Sequence, residues 1–184
     1  MKKWGIFLLF LICLSGCNAS EEIERGMNLR ASLLRSSGSF DAEITADYGE
    51  KCHIFSIKSE FDEFGNLEFE VTAPEEIAGI TGNIRNETGA LTFDDTVLYF
   101  DLMTDDQLSP VSAPWIFLKT LRSGYLTAAG EEDGLLRLSI DDSYEEDALH
   151  LDVWLNESNI PKTAEIVYDS RRILSLDVEN FHFA

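Results

Sequence analysis

From Phe40 to Tyr48 the chain alternates with a period of two. Phe40, Ala42, Ile44, Ala46 and Tyr48 are apolar or small, and the residues between them are polar. Only an extended strand sends alternate side chains to opposite faces, so the segment predicts a strand with one dry and one wet face. The rhythm returns after Gly49-Glu50, where His53, Phe55, Ile57 and Phe61 share a face. It returns again after the turn-like Asp62-Glu63-Phe64-Gly65-Asn66, in Leu67, Phe69, Val71 and Ala73. Short runs bounded by Gly, Asn or Asp imply an antiparallel meander. Further strands are expected over 80–84, 90–93, 97–100, 125–129, 135–140, 149–155, 161–168 and 173–181, about ten in all.

Two segments break this rhythm. In Glu21–Ser36, Ile23, Met27, Arg30 and Leu34 follow helical spacing, with Ser20 as expected N-cap and Gly38 as stop. In 112–122, Pro114 suits a first helical turn and Gly124 a stop, while Trp115, Ile116, Phe117 and Leu118 are apolar on all sides. A helix apolar all round needs apolar partners all round. An open sheet of about ten strands tends to curl, and its concave face supplies them. The expected fold is therefore mainly β (α+β): a strongly curved antiparallel sheet or incomplete barrel, with an N-terminal helix and an inserted central lid helix.

The N-terminus carries an address. Lys2 and Lys3 precede an apolar run, Trp4 to Leu14, too short to span a bilayer, and small residues then lead into a cysteine. Leu14-Ser15-Gly16-Cys17 resembles the lipobox of bacterial lipoproteins, which implies diacylglyceryl transfer to Cys17 and cleavage before it. The expected organisation is a signal peptide over 1–16, a lipidated cysteine and polar tether over 17–22, and one β domain over 23–184. The expected location is the extracytoplasmic face of a cell membrane, or the inner face of an outer membrane if the source has one. Two acyl chains on one residue provide stable anchoring.

Composition narrows the function classes. Loss of Lys2 and Lys3 leaves 12 basic against 34 acidic residues, a formal charge of −22, which repels nucleic acid and anionic headgroups. With Cys13 removed and Cys17 acylated, only Cys52 remains, so no intramolecular disulfide is expected; Cys52 reads as a small buried residue. The acidic runs Asp101 with Asp105-Asp106, Glu131-Glu132-Asp133, and Asp141-Asp142 with Glu145-Glu146-Asp147 lack the spacing and glycine of an EF-hand loop. They read as solvated turns, and only 141–147 merits a metal test. His53, His150 and His182 form no zinc motif, and no nucleophile motif is present. No catalytic residue, metal or cofactor is therefore assigned.

This layout resembles the LolA/LolB-like superfamily of lipoprotein carriers and receptors. The resemblance runs from the helix at Glu21–Ser36 to the last strand. It is carried by Gly89-Ala90-Leu91-Thr92-Phe93-Asp94, by Asn159-Ile160-Pro161-Lys162-Thr163-Ala164-Glu165-Ile166, and by Arg172-Ile173-Leu174. It implies a non-catalytic protein that binds a lipid or acyl-chain ligand in a concave apolar cavity beneath a lid. The candidate lid is Trp115, Ile116, Phe117 and Leu118, with hinging at Ser123-Gly124. The candidate lining is Phe40, Ile44, Phe55, Phe69 and Val71, which in a ligand-free design would simply fill the core. The alternative is a structural or regulatory lipoprotein whose sheet is a scaffold for protein partners, none of which the sequence identifies.

Overall fold

The computed structural model describes residues 18–85, 88–101, 103–104, 107–145 and 148–184. The period-two segments form an eleven-stranded antiparallel sheet that does not close. One wing is a meander of β1 (Gly38–Asp47), β2 (Cys52–Phe61), β3 (Leu67–Ala73), β4 (Thr81–Arg85), β5 (Thr88–Phe93) and β6 (Thr96–Asp101). The short β7 (Met103–Thr104) and β8 (Gln107–Leu108) pair only with each other. The second wing holds β9 (Tyr125–Glu132), β10 (Leu135–Asp141), β11 (His150–Leu155), β12 (Pro161–Tyr168) and β13 (Arg171–Phe183). The strand order is β6-β5-β4-β3-β2-β1-β13-β12-β11-β10-β9, so the first and last strands meet in the middle. Eleven strands laid flat would separate the edges β6 and β9 by about 48 Å. One connector, residues 102–124, must join these edges, and a curled sheet shortens that path.

The sequence supplies the curl in two ways. Register shifts interrupt five of the strand pairings, including β1–β13 at Ser39/Asp41 and β11–β12 at Trp154/Leu155. Each bulge bends its strand and increases the local twist. Three phenylalanines also stand directly opposite glycines: Phe61 across from Gly38, Phe69 from Gly82, and Phe100 from Gly89. A Cβ on Gly82 would fall within the ring of Phe69, and one on Gly89 within the ring of Phe100. Each ring lies flat over bare backbone, filling the tight inner side of the curve without splaying the strands.

Helix α1 (Asn18–Leu33) and helix α2 (Ala113–Ser123), the latter preceded by a 3-10 turn at Pro110–Ser112, pack on one face of the sheet. Helix α1 starts before the expected boundary, so residues 18–22 are helical, and Ser20 lies inside the helix. Its buried face also differs from the expected one. Gly26, Leu29 and Leu33 are buried, while Ile23, Met27 and Leu34 are exposed. The reason is close approach: a Cβ on Gly26 would sit 3.1 Å from the methyls of Leu138, so the glycine stripe lets α1 settle onto β10. Arg30 is half-buried and turned toward α2.

Cys52 is exposed, contrary to expectation. It begins β2 opposite Asp47, and the buried β2 residues are Phe55, Ile57, Ser59 and Phe61. Their odd-numbered parity puts Cys52 on the outer face. Cys17 and the remainder of 1–17 lie outside the described residues, as do Asp105, Asp106, Glu146 and Asp147. Among the described residues no helix is long and apolar enough to cross a membrane.

Candidate functional site

The connector between the wings brings α2 across the concave face. Phe117 is fully buried, and Trp115, Ile116 and Leu118 are buried beside it. The five candidate lining residues, Phe40, Ile44, Phe55, Phe69 and Val71, belong to the same core cluster. Phe117 meets Phe40 edge-on with ring centroids 5.6 Å apart, and Phe40 stacks on Phe181 at 5.9 Å. Phe61 and Phe183 extend this aromatic group. The Lys119 ammonium sits over the Trp115 ring, 4.9 Å from its centroid. Helix and sheet are thus in direct contact.

Among the described residues, two buried polar side chains, Ser59 and Thr120, have hydroxyl oxygens that lack a hydrogen-bond partner. Ser59 lies on the inward face of β2, directly opposite Phe40 on one side and Phe69 on the other. Phe117 packs on Phe40, and Thr120 lies one helical turn beyond Phe117. The Ser59 hydroxyl therefore lies under the Phe40–Phe117 contact, and the Thr120 hydroxyl lies on the helix that makes that contact. A buried hydroxyl without a partner costs about 1–3 kcal/mol, so native interiors rarely keep one without a reason. Sequence reading missed both residues. Ser59 was visible as the one polar position in the otherwise apolar series Phe55, Ile57, Ser59, Phe61; Thr120 carried no such signal.

Helix α2 is held down at its C-terminal end by two arginines working in opposite directions. Arg30 of α1 donates from Nε to the Leu121 carbonyl at 2.9 Å. Arg122 of α2 donates to the Leu33 carbonyl at the end of α1, and from Nη2 to the Glu63 carbonyl at 2.7 Å. Each guanidinium satisfies the last-turn carbonyls of the other helix. Burial lowers the pKa of Arg30; it also lowers that of Arg122, against the opposing charge of Asp62. Gly124 is not a free hinge. Its backbone is extended, its N–H donates to the Thr120 carbonyl at 2.9 Å, and a Cβ would fall 2.6 Å from Ile140 and 2.8 Å from the Asp141 carbonyl. The glycine is required for close packing between helix end and β10. At the N-terminal end, Tyr48 anchors the β7–β8 segment through its hydroxyl to the Leu108 carbonyl at 2.6 Å.

The outer face carries a different chemistry. Arg137 pairs with Asp152 through Nε at 3.1 Å and Nη2 at 2.7 Å, and Ser139 donates to the same carboxylate at 2.6 Å. His150 bridges Asp141 at 2.6 Å and Asp152 at 3.3 Å. Burial pushes Asp152 up, but the hydrogen bonds from Arg137 and Ser139 and the charges of His150 and Arg137 hold it below the usual carboxylate range. Within the acidic runs, Glu132 accepts from Trp154 and Arg137, and Asp142 from the Leu149 N–H at 2.8 Å. Among the described residues, no group of three or more His, Cys, Asp or Glu side chains is placed to hold a metal.

The architecture is an open antiparallel sheet with an N-terminal helix and an inserted helix packed on one face. No family model matches the chain, and no curated protein matches it. Solved structures do resemble it. They include an uncharacterized conserved protein of Thermus thermophilus (TM-score 0.48, 10% identity, covering 90% of this chain and 87% of that one). A LolA superfamily protein of Nitrosomonas europaea has a TM-score of 0.45 and 12% identity, over 90% and 93% of the two chains. The lipoprotein LppX of Mycobacterium tuberculosis has a TM-score of 0.44 and 15% identity, over 91% and 96%.

Proposed function

We propose that this protein is a lipid-anchored, extracytoplasmic binding protein, held at the membrane by Cys17, that takes an acylated or otherwise hydrophobic ligand between the concave sheet face and α2. The reading rests on one observation: Ser59 holds a buried, unpartnered hydroxyl between Phe40 and Phe69, beneath Phe117, and α2 carries a second one at Thr120. An apolar surround with a few placed polar groups is the composition of a small-molecule site, where the polar groups fix orientation. A fatty acyl ester or amide suits it, since its chain joins the aromatic group and its carbonyl accepts from the hydroxyls. Entry requires α2 to separate from the sheet, with Arg30 and Arg122 as the contacts that hold it closed. The role is binding alone, and no residue is assigned to chemistry.

Brominated stearate tests the reading through Trp115, the tryptophan on α2. In a Trp154→Phe background the bromine atoms are expected to quench Trp115 emission saturably at micromolar concentrations. Emission unchanged by brominated fatty acids, phospholipids and lipopeptides alike would refute it.

A further inference from the structure

The sheet has two edges, and they are built differently. The β9 edge carries Glu131 and Glu132 and lies beside α1. The β6 edge is the outermost strand of the other wing and pairs only with β5 within the sheet. Its sequence, Thr-Val-Leu-Tyr-Phe-Asp, has no charge before its last residue. Val97 is 51% exposed, Leu98 63% and Tyr99 74%. These are consecutive, so apolar side chains stand free on both faces of the strand, and Phe93 of β5 is exposed beside them. Proteins ordinarily protect an edge of this kind with lysine, proline, a bulge or a covering helix. Here the β5–β6 register runs unbroken over six pairs, and the turn into β6 is made by Asp94 and Asp95, both exposed and both with positive φ.

We infer that β6 is a docking edge for an extended segment of another protein, which adds to the sheet as a further strand with apolar side chains at alternate positions and lysine or arginine beyond its ends. Charge complementarity selects this occupant. The apolar stretch Val97–Phe100 lies between Asp94-Asp95 and Asp101, on a chain with a formal charge of −20. A second copy pairing antiparallel through the same edge would bring Asp94-Asp95 of one chain toward Asp101 of the other, setting like charges together. An anionic bilayer is repelled for the same reason. Main-chain hydrogen bonds supply most of the affinity in strand addition, and the flanking charges supply selectivity and on-rate. This edge lies apart from the α2 zone, so its occupancy does not depend on an acyl ligand being present.

The test uses the whole protein and the peptide Lys-Lys-Val-Thr-Val-Tyr-Val-Lys-Lys as probe. Two controls accompany it: the same peptide with glutamate for lysine, and one with alternate backbone nitrogens methylated. Binding is read by fluorescence anisotropy, and its place by hydrogen exchange. The lysine peptide is expected to bind at least tenfold more tightly than the glutamate peptide, to lose binding when methylated, and to slow exchange across 96–101. Tyr99→Lys, at a side chain exposed enough to leave the fold intact, should weaken it at least tenfold. Equal binding of both charge forms, protection elsewhere than β6, or no binding of any peptide would overturn the inference. So would a concentration-dependent dimer in sedimentation that Tyr99→Lys abolishes, since β6 would then belong to a second copy.

Discussion

Removing the two orphaned hydroxyls should stabilise the ligand-free protein. Thr120→Val keeps the shape of the side chain and changes one hydroxyl to methyl, and Thr and Val have similar helix propensities. The gain is the recovered penalty of a buried unpaired hydroxyl, about 1–3 kcal/mol. Ser59→Ala loses one oxygen's volume, so its gain is reduced by a small void term of about 0.2–0.3 kcal/mol. Either variant is expected to be about 1–2 kcal/mol more stable than the parent. For a chain of this size that raises the melting temperature by roughly 2–4 °C per kcal/mol. The comparison must be made on protein stripped of copurifying lipid, by calorimetry and urea unfolding.

The ligand then reverses the advantage. A ligand at 100 times its Kd adds about 2.7 kcal/mol to the parent, and about 1.4 kcal/mol to a variant that binds tenfold more weakly. With saturating acyl ligand the parent and variants should therefore converge or exchange rank. Variants that are less stable than the parent in stripped protein would refute the reasoning, because the hydroxyls would then be engaged in the folded interior.

Other perturbations test the scaffold. Gly38→Ala places a Cβ 2.6 Å from Phe61 Cζ and against the His182 carbonyl, and Gly82→Ala puts one into the Phe69 ring; each should cost about 1–3 kcal/mol in urea unfolding. Arg30→Met and Arg122→Met should each cost about 1–2 kcal/mol, with a double variant less than additive, and should speed hydrogen exchange across α2. Asp152 titrates below its unfolded value of about 3.9, so its contribution to stability is complete above that pH and fades as pH falls through the lower folded value. Asp152→Asn should flatten this acid limb below about pH 4. Phe117→Ala, at a fully buried ring, should cost about 3–5 kcal/mol and so reports on folding before it reports on binding.

The alternation at Phe40–Tyr48 and its repeats placed the large strands to within a few residues, because a half-buried strand writes its two faces directly into the sequence. Helix α2 was legible for a related reason: apolar side chains all round have only one kind of surroundings. The buried face of α1 was not legible. Two stripes, Ile23-Met27-Leu34 and Gly26-Leu29-Leu33, were available, and the less apolar one was chosen because only glycine allows contact with Leu138. The Phe–Gly pairs were likewise hidden, since they depend on register between strands up to about twenty residues apart. The exposure of Cys52 was legible in the alternation itself, since Phe55, Ile57 and Phe61 share the buried face and Cys52 has the opposite parity. The arginine clasp of α2 joins residues distant in sequence, and nothing local to Arg30 or Arg122 announces it.

Native mass spectrometry of the gently purified protein addresses the central claim most directly. A copurifying fatty acid or phospholipid mass is predicted on the parent, at occupancy severalfold lower on the Ser59→Ala/Thr120→Val variant. A clean unliganded mass that persists after incubation with fatty acids, phospholipids and lipopeptides would contradict it.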